Sequence, residues 1–374
     1  MEARSYTLSE LESHLQRSFD DTSPLVPVTP LRLASYMNNP RAEPSDHVLF
    51  EMREGDLLVA YRTLLPDHMY GRQGTIHRFA WLSGNYVNPA YRRRGISTRL
   101  LRLAEERWES RLMYTNYAPA SKSVYDSTGQ FRILANREGQ RFYLRAASAS
   151  LLKGRAGFQA LLPMADRMVN SLVDGKLKKF TLNIPEGLRV FRTESIDESM
   201  EEMRADSDQG SLFRRDRKVY QWILRYPWVT DDAVEPLPYH FSYRAGQFEN
   251  LLFKFETEQN AGRGKTDAGR GEEGNGWLWL VVHGNRLSAP YLIASGRGIL
   301  PAMARVVIDT MIRHRCAYLT VRHPGLREAL MANRKWFLAV RRMPQLIFYH
   351  QRMEAILPDD FSLQDGDGDV VFTG

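Results

Sequence analysis

The spacing of apolar side chains predicts both helices and strands in the first half of the chain. Leu100, Ala104, Trp108 and Leu112 recur every fourth residue, which is the spacing of an amphipathic helix. Apolar runs on either side of Glu54 and Gly55 predict a β-hairpin. The strands predicted in this half are residues 47–52, 57–65, 75–87, 112–116 and 141–145. The other helices predicted here are residues 8–17, 31–37 and 120–127.

The second half repeats this order of elements, which predicts a duplicated fold. The helices predicted there are residues 195–205, 220–225, 301–313 and 326–333. The strands predicted there are residues 239–244 with 249–255 as a hairpin, 277–283, 289–294, 318–321, and 337–340 with 346–350 as a closing hairpin. Residues 257–275 are glycine-rich and charged, and they lack apolar side chains beyond alanine, so we predict a flexible surface loop.

The segment from Tyr91 to Ser97 joins a strand to the amphipathic helix and carries three consecutive arginines at positions 92–94. A helix N-terminus presents unpaired backbone N–H groups and the positive end of the helix dipole, so it suits a phosphate. Gly95 allows close approach of the backbone, and Ser97 is predicted as the N-cap. The alternative interpretation is a basic helix start that is only solvated.

The spacing of this segment also resembles a known motif. Val87-x-Pro89 followed by Arg92-x-x-Gly95-x-Ser97 resembles the acetyl-CoA pyrophosphate loop of the GNAT N-acetyltransferase superfamily. That family usually has Gln or Arg, two residues, Gly, one residue, and then Gly or Ala. Ser97 is small but departs from the pattern.

The resemblance implies a fold, a cofactor and a cofactor site. The fold is of the α/β (α+β) class, with two GNAT-like modules, each a mixed, mostly antiparallel sheet flanked by helices. Residues 1–150 would be the domain with the acetyl-CoA loop, 151–187 a connector, and 188–374 a degenerate second module that has lost cofactor binding. The residues expected to bind acetyl-CoA are Tyr86, Val87, Arg92, Arg93, Arg94, Gly95, Ile96, Ser97, Thr98 and Asn116.

A second landmark of the family implies a catalytic acid. The family commonly carries a small residue, a tyrosine and a Gly-Phe pair after the next strand, and Ser123, Tyr125, Gly129 and Phe131 stand at about this place. Gln130 separates the last two, which is a departure. The resemblance makes Tyr125 the acid that protonates the departing CoA thiolate, since a thiolate leaving group needs a nearby proton donor. The alternative is that Tyr125 only packs its short helix against the sheet.

A catalytic base is harder to identify. Many relatives use a glutamate on the strand before the loop, but residues 75–87 contain none. His77 is the only side chain there that titrates near neutrality, so it is the candidate base, against the alternative of a partly exposed strand histidine. A further alternative is that Ser83 or Asn116 orients a water molecule in place of a side-chain base. The donor to the thioester carbonyl is expected to be a backbone N–H near Tyr86 or Val87.

Composition narrows the class of protein. The chain has 374 residues, a formal net charge of +7 and a single cysteine, Cys316. The positive charge favours anionic partners, and one cysteine excludes an internal disulfide. No apolar run reaches the length of a membrane helix, and the polar N-terminus does not resemble a signal peptide. No Cys-rich or His-x-x-x-His pattern predicts a metal site. We expect a soluble, cytoplasmic protein without a metal.

Two functions of different classes follow from the sequence. The first is an acetyl-CoA-dependent N-acetyltransferase that acts on a primary amine. In its length and in the run from Trp81 to Gly84, the chain resembles bacterial enzymes that acetylate amino sugars in surface-polysaccharide assembly. The second is a non-catalytic basic protein that binds nucleic acid or another polyanion. The apolar, strand-like setting of most aromatic residues makes nucleic acid the weaker interpretation.

Overall fold

Two seven-stranded mixed sheets, each flanked by helices, organise the chain in the computed structural model. The structure describes residues 1–20, 25–115, 119–148, 162–207, 210–231, 237–257 and 274–373. The predicted fold class is therefore confirmed: the chain is of the α/β (α+β) class and has two mixed, mostly antiparallel sheets.

The strands are numbered in chain order. They are β1 (Glu2–Thr7), β2 (His47–Glu54), β3 (Leu57–Tyr70), β4 (Ile76–Val87), β5 (Leu112–Thr115), β6 (Phe131–Arg137), β7 (Gln140–Tyr143), β8 (Leu188–Thr193), β9 (Thr230–Asp231), β10 (Arg244–Ala245), β11 (Phe248–Thr257), β12 (Asn275–His283), β13 (Arg286–Ser295), β14 (Tyr318–Val321), β15 (Ala339–Arg342) and β16 (Gln345–His350).

The α-helices are numbered in the same way. They are α1 (Leu8–Asp20), α2 (Pro30–Met37), α3 (Ile96–Arg107), α4 (Pro119–Thr128), α5 (Leu162–Leu177), α6 (Glu198–Ser207), α7 (Arg217–Arg225), α8 (Ile299–Arg313), α9 (Pro324–Ala332) and α10 (Val370–Thr373). None of the helices in the described part of the chain is both long and apolar enough to cross a membrane.

The two sheets have the same layout. The first has the order β1-β2-β3-β4-β5-β16-β6, and the second, read in the matching direction, has the order β8-β11-β12-β13-β14-β7-β15. Each contains one parallel pair, β4 with β5 and β13 with β14, among antiparallel neighbours. A helix follows the first strand of each parallel pair, α3 in one sheet and α8 in the other.

The halves of the chain exchange one strand each. β16, near the C-terminus, lies between β5 and β6 of the first sheet, with Ile347 opposite Thr115 and Ala135. β7, from the first half, lies between β14 and β15 of the second sheet. The hairpin predicted for residues 337–340 and 346–350 is therefore wrong, because its two strands belong to different sheets on either side of Pro344.

A second predicted hairpin is also wrong. Residues 239–244 do not pair with residues 249–255; instead β10 pairs with β9, and β11 lies between β12 and β8. Four observed strands, β1, β6, β8 and β9, have no counterpart among the predicted ones. The division into 1–150, 151–187 and 188–374 remains a prediction, but the sheets do not divide along it because β7 and β16 cross over. The predicted flexible loop at 257–275 lies, apart from its ends, outside the described residues.

A cluster of buried charges joins the two halves. The carboxylate of Asp67 on β3 accepts hydrogen bonds from Arg41 at 2.6 Å, from Arg215 at 2.6 and 2.8 Å, and from the Trp81 indole at 2.8 Å. Burial opposes ionisation of Asp67, but the charges of Arg215 and Arg41 outweigh it and hold the pKa of this carboxyl well below its usual range.

We expect Asp67→Asn to lower the free energy of unfolding by about 3–5 kcal/mol at neutral pH, because two buried arginines lose their anionic partner. The pKa of Asp67 is depressed in the folded state, so the stability that its carboxylate contributes is lost as the pH falls below about 4. The difference in unfolding free energy between the variant and the parent should therefore narrow there. Denaturant unfolding at several pH values measures this. Asp309→Asn is the matched control, because Asp309 pairs with a well exposed Arg313 and such pairs contribute little. If Asp67→Asn and Asp309→Asn lost equal amounts of unfolding free energy, the stabilising role of the buried cluster would be contradicted.

Candidate active site

The separation of β4 from β5 creates the main cleft of the first sheet. The two strands pair only at Ala80 with Leu112 and Trp81 with Met113. The register of β4 against β3 then shifts, with Leu82 opposite Leu64 but Gly84 opposite Thr63, so Ser83 is the extra residue of a β-bulge. A bulge bends its strand and re-aims the side chain it inserts. Beyond it, β4 runs on without β5 beside it.

A cavity of about 710 Å³ lies in this cleft. That volume is within the range of small-molecule and cofactor sites. It is lined by Leu82, Ser83, Gly84, Asn85, Tyr86, Val87, Tyr91, Arg92, Arg93, Gly95, Ile96, Ser97, Thr98, Tyr114, Thr115, Ser123, Val124, Tyr125, Ser127, His240 and Phe241.

The basic loop forms one end of this cavity. Arg93 and Gly95 both have left-handed backbone conformations, with φ of 64° and 72°. Gly95 is the N-cap of α3 and has no side chain to bond to the helix N–H groups. The predicted N-cap, Ser97, is therefore wrong; it lies in the first turn, and its hydroxyl donates to Asn85 Oδ1 at 3.1 Å.

The loop fits the pyrophosphate of acetyl-CoA in its chemistry and in its free space. The first-turn N–H groups of a helix lack intrahelical acceptors, and here the cap side chain that would satisfy one is missing. A Cβ built on Gly95 would meet no atom within 4 Å, so the space beside the cap is open. Arg92 and Arg93 are exposed at the cavity.

Most of the residues expected to bind acetyl-CoA line this one cavity. They are Tyr86, Val87, Arg92, Arg93, Gly95, Ile96, Ser97 and Thr98. Arg94 is not among the lining residues; its guanidinium lies 5.1 Å from the ring centre of Tyr91. Asn116 lies outside the described residues.

Tyr125 is buried on α4 and reaches the cavity from the side of β5. Its ring stacks on Tyr114, with 4.1 Å between the centroids. Its oxygen accepts a hydrogen bond from Arg62 at 3.1 Å, and Arg62 on β3 is fully buried. A guanidinium only donates, so the phenol proton does not point at Arg62, and no described residue accepts it. The hydroxyl is therefore available as a proton donor.

His77 does not lie with the other candidates. It is the second residue of β4 and packs against Gly71, where an added Cβ would come within 2.7 Å of its ring. Nine residues separate it from Tyr86, roughly 30 Å along an extended strand. It is not a lining residue of the cavity, so the structure gives no support to His77 as the base.

Two cavity residues come from a distant part of the chain that the sequence does not connect with the site. His240 and Phe241 come from the second half, in the segment wrongly predicted as a hairpin strand. The His240 ring lies 4.4 Å from the Tyr86 ring. The side chain of His240 is exposed, but partial desolvation by its neighbours, with a further effect of Arg92, lowers its pKa, so the imidazole is neutral at pH 7. No spacing in the sequence connects these residues with the loop, so no local signal was available to find them.

The matching cleft of the second sheet is filled by the C-terminal segment. The N–H of Gly366 donates to the Pro290 carbonyl at 2.7 Å, and the Gln364 side chain bonds both the N–H and the carbonyl of Leu292. β13 pairs with β14 only up to Ser288, so residues 364–366 lie where the first sheet has its cavity. The loop before α8 nevertheless repeats the first loop's backbone, with φ of 81° at Gly296 and 85° at Gly298.

Comparison with known proteins agrees with the geometry of the first sheet. Residues 9–127 match the model of the family described as "Acetyltransferase (GNAT) family". These residues belong to the GNAT acetyltransferase family. The GNAT domain therefore includes β4, the basic loop, α3, β5 and nearly all of α4, which carry most of the cavity. The resemblance stated from the sequence is confirmed.

Two solved structures are similar to this chain. One similar structure is the crystal structure of a GCN5-related N-acetyltransferase from Kribbella flavida, with a TM-score of 0.48 and 14% identity, covering 95% of this chain and 72% of that one. Another is a GCN5-related N-acetyltransferase from Anabaena variabilis, with a TM-score of 0.41 and 10% identity, covering 81% of this chain and 62% of that one. A search of curated proteins found no match.

We expect Gly95→Glu to weaken acetyl-CoA binding by about 100-fold or more, because a carboxylate would stand where the pyrophosphate is expected and like charges repel. Calorimetric titration measures the Kd. Gly284→Glu is the matched control: Gly284 also has a left-handed φ, 59°, and open space around it, but it lies in a hairpin turn of the second sheet. Unchanged affinity in the Gly95 variant would remove the loop from the cofactor site.

Proposed function

We propose that the protein transfers the acetyl group of acetyl-CoA to a primary amine. One observation carries this: the basic helix N-terminus and the Tyr125 hydroxyl face a single cavity between separated strands of a GNAT domain. An anion site and a proton donor in one cleft are what a CoA thioester and its leaving thiolate require.

The cofactor's part follows from the chemistry of the loop. When bound, acetyl-CoA supplies an activated acyl group as a thioester. The N–H groups at the start of α3, together with Arg92 and Arg93, would hold its phosphates. The free edge of β4 beyond the bulge, residues 84–87, offers backbone N–H groups to a carbonyl oxygen that becomes negative.

Tyr125 is the proposed acid. Arg62 occupies one lone pair of its oxygen, which turns the O–H away from β3. The guanidinium of Arg62 lies beside the oxygen that gives up the proton. Arg62 also approaches Ser97 Oγ at 3.5 Å, so the same side chain links the acid to the first turn of the cofactor helix.

The acceptor class is proposed only as far as the resemblance supports it. An amino sugar of surface-polysaccharide assembly is our first candidate, on the run from Trp81 to Gly84 and the two-module length. The acceptor would enter beside His240 and Phe241, which bring side chains of the second half to the cavity. An aromatic wall of this kind suits the apolar face of a sugar ring.

Titration of acetyl-CoA into the purified protein tests the function directly, with a nucleic-acid oligomer as the parallel ligand. We expect saturable binding of one acetyl-CoA per chain, because residues 364–366 fill the second cleft. Binding of two acetyl-CoA molecules per chain would contradict the expectation that the second cleft does not bind the cofactor. If the protein binds the oligomer in a salt-sensitive way and does not bind acetyl-CoA, the proposal of a basic binding protein would replace the proposal of an enzyme.

We expect Tyr125→Phe to reduce kcat by roughly 10²-fold or more while the Kd for acetyl-CoA stays within a factor of about three. The reason is that the ring contacts with Tyr114 remain and only the proton donor is lost. Steady-state release of CoA thiol in the presence of a primary amine measures kcat.

Tyr143→Phe is the matched control for that variant. Tyr143 is comparably buried, at 8% exposed against 5% for Tyr125, but it lies in the second sheet. Removing the Tyr143 hydroxyl should leave kcat unchanged. A Tyr125 variant as active as this control would return Tyr125 to a packing role.

A further inference from the structure

The hydroxyl of Ser83 is held between a buried cation and a carboxylate. Arg32 Nη2 donates to Ser83 Oγ at 2.8 Å. Ser83 Oγ in turn donates to Asp369 Oδ2 in a short hydrogen bond. Ser83 is the bulge residue of β4 and lines the cavity, whereas Asp369 comes from the C-terminal segment, 286 residues later in the chain.

The direction of these bonds is fixed by the chemistry of Arg32. A guanidinium has donors and no acceptor, so the Ser83 proton cannot point toward Arg32. Arg32 is itself buried, at 4% exposed, and its guanidinium also lies within hydrogen-bond distance of the hydroxyls of Tyr36, Tyr239 and Thr63. With one Ser83 lone pair taken by Arg32 and the proton directed at Asp369, the other lone pair remains for a group in the cavity.

Contacts on both sides of Asp369 fix its position. Before it, Gly366 and Gln364 are bonded to β13. After it, the Phe372 ring stacks on Trp228 with 4.6 Å between centroids. Arg32 lies over that same indole, 4.0 Å from the ring centre. The carboxylate is therefore held by packing that does not involve the cavity.

The C-terminal segment also reaches the place where the strands separate. Gly368 has φ of 99°, and a Cβ there would lie 3.2 Å from Thr115 Cγ2. Thr115 is the last residue of β5 and lines the cavity with Ser83. Asp369 thus approaches the inner end of the cleft, and four residues, roughly 13 Å of strand, separate Ser83 from Val87 at the loop end.

We propose that Ser83 is the catalytic residue that takes the proton from the attacking amine, and that Asp369 is the positioning residue that receives the Ser83 proton. This inference deepens the proposed acetyl transfer and depends on it. As the nitrogen–carbon bond forms, one amine proton moves to Ser83 Oγ and the Ser83 proton moves to Asp369 Oδ2. As the carbon–sulfur bond breaks, Tyr125 protonates the thiolate. Solvent then removes the proton from Asp369 and returns one to Tyr125, so atoms and charges balance.

The surroundings of Asp369 suit a group that accepts a proton and later releases it. Burial raises the pKa of this carboxyl, while the Ser83 bond and the charge of Arg32 act in the opposite direction. Arg32 from α2 is the charged group that faces it. Tyr36 and Tyr239, bonded to Arg32, complete the cluster, and burial raises the pKa of Tyr36, so that phenol stays neutral.

His240 is the competing base in the same cavity. It is exposed, lies beside Tyr86 and is influenced by Arg92 of the loop, so it belongs to the mouth rather than to the inner end. Its neutral imidazole can accept a proton there. The experiment must therefore separate the two residues.

The test measures acetyl transfer by the full chain to glucosamine, glycinamide and n-propylamine as probe amines. We expect Asp369→Asn and Ser83→Ala each to lower kcat/KM by about 10²-fold or more, with the Kd for acetyl-CoA unchanged. The double variant should be little worse than either single one, because both residues act in one step. Asp359→Asn, which changes an exposed carboxylate of the same tail, is the control, and His240→Gln tests the competing base.

The pH profile distinguishes proton transfer from a structural role. Below the pKa of Asp369, log kcat/KM of the parent should rise with pH at a slope of about two, one part from the amine and one from Asp369. In Asp369→Asn the slope should be about one throughout. An unchanged slope in Asp369→Asn would overturn the proton transfer from Ser83 to Asp369. So would a large loss of kcat/KM in His240→Gln together with active Ser83 and Asp369 variants. Either result would leave the transferase function standing. A parent that binds acetyl-CoA but acetylates none of the probes would overturn both proposals.

Discussion

The site depends on one constraint of the first sheet: β4 and β5 pair over two residues and then separate. A parallel strand that continued alongside β4 would satisfy its backbone groups and leave no room for a ligand. The bulge at Ser83 bends β4 at this point, and β16 pairs with β5 on its other side, which holds β5 in place without closing the cleft. The cavity and the positions of the loop and Tyr125 follow from that separation.

The second half contributes to this cleft rather than standing beside it. β16 enters the first sheet, His240 and Phe241 line the cavity, and the C-terminal segment runs from the second cleft to Ser83. Because these elements are fixed by buried contacts such as Phe372 on Trp228, the two halves share one core. A site built across such a core gains rigidity that a surface loop would lack.

The sequence could predict what depends on local pattern. The amphipathic spacing before Leu112 predicts α3, and the arginines with Gly95 predict an anion site; Arg92, Arg93 and Gly95 all line the cavity. It could not predict the exchange of β7 and β16, because alternation in a strand specifies a buried face but not the neighbour. His77 is the base that the sequence suggests, because no other side chain of residues 75–87 titrates near neutrality. Asp369 reaches Ser83 only through tertiary packing, which the sequence does not reveal.

The second sheet repeats the backbone of the basic loop but not the open cleft beside it. Gly296 and Gly298 repeat the left-handed conformations of Arg93 and Gly95, and Gly298 also caps its helix without a side chain. An anion would meet similar backbone donors at both helices. The difference is in the cleft beyond, since Gln364 and Gly366 bond the free edge of β13 that would otherwise face a ligand. The proposed cofactor site therefore differs from its counterpart in having an unfilled strand edge joined to a helix N-terminus, and the same tail that closes one cleft carries Asp369 to the other.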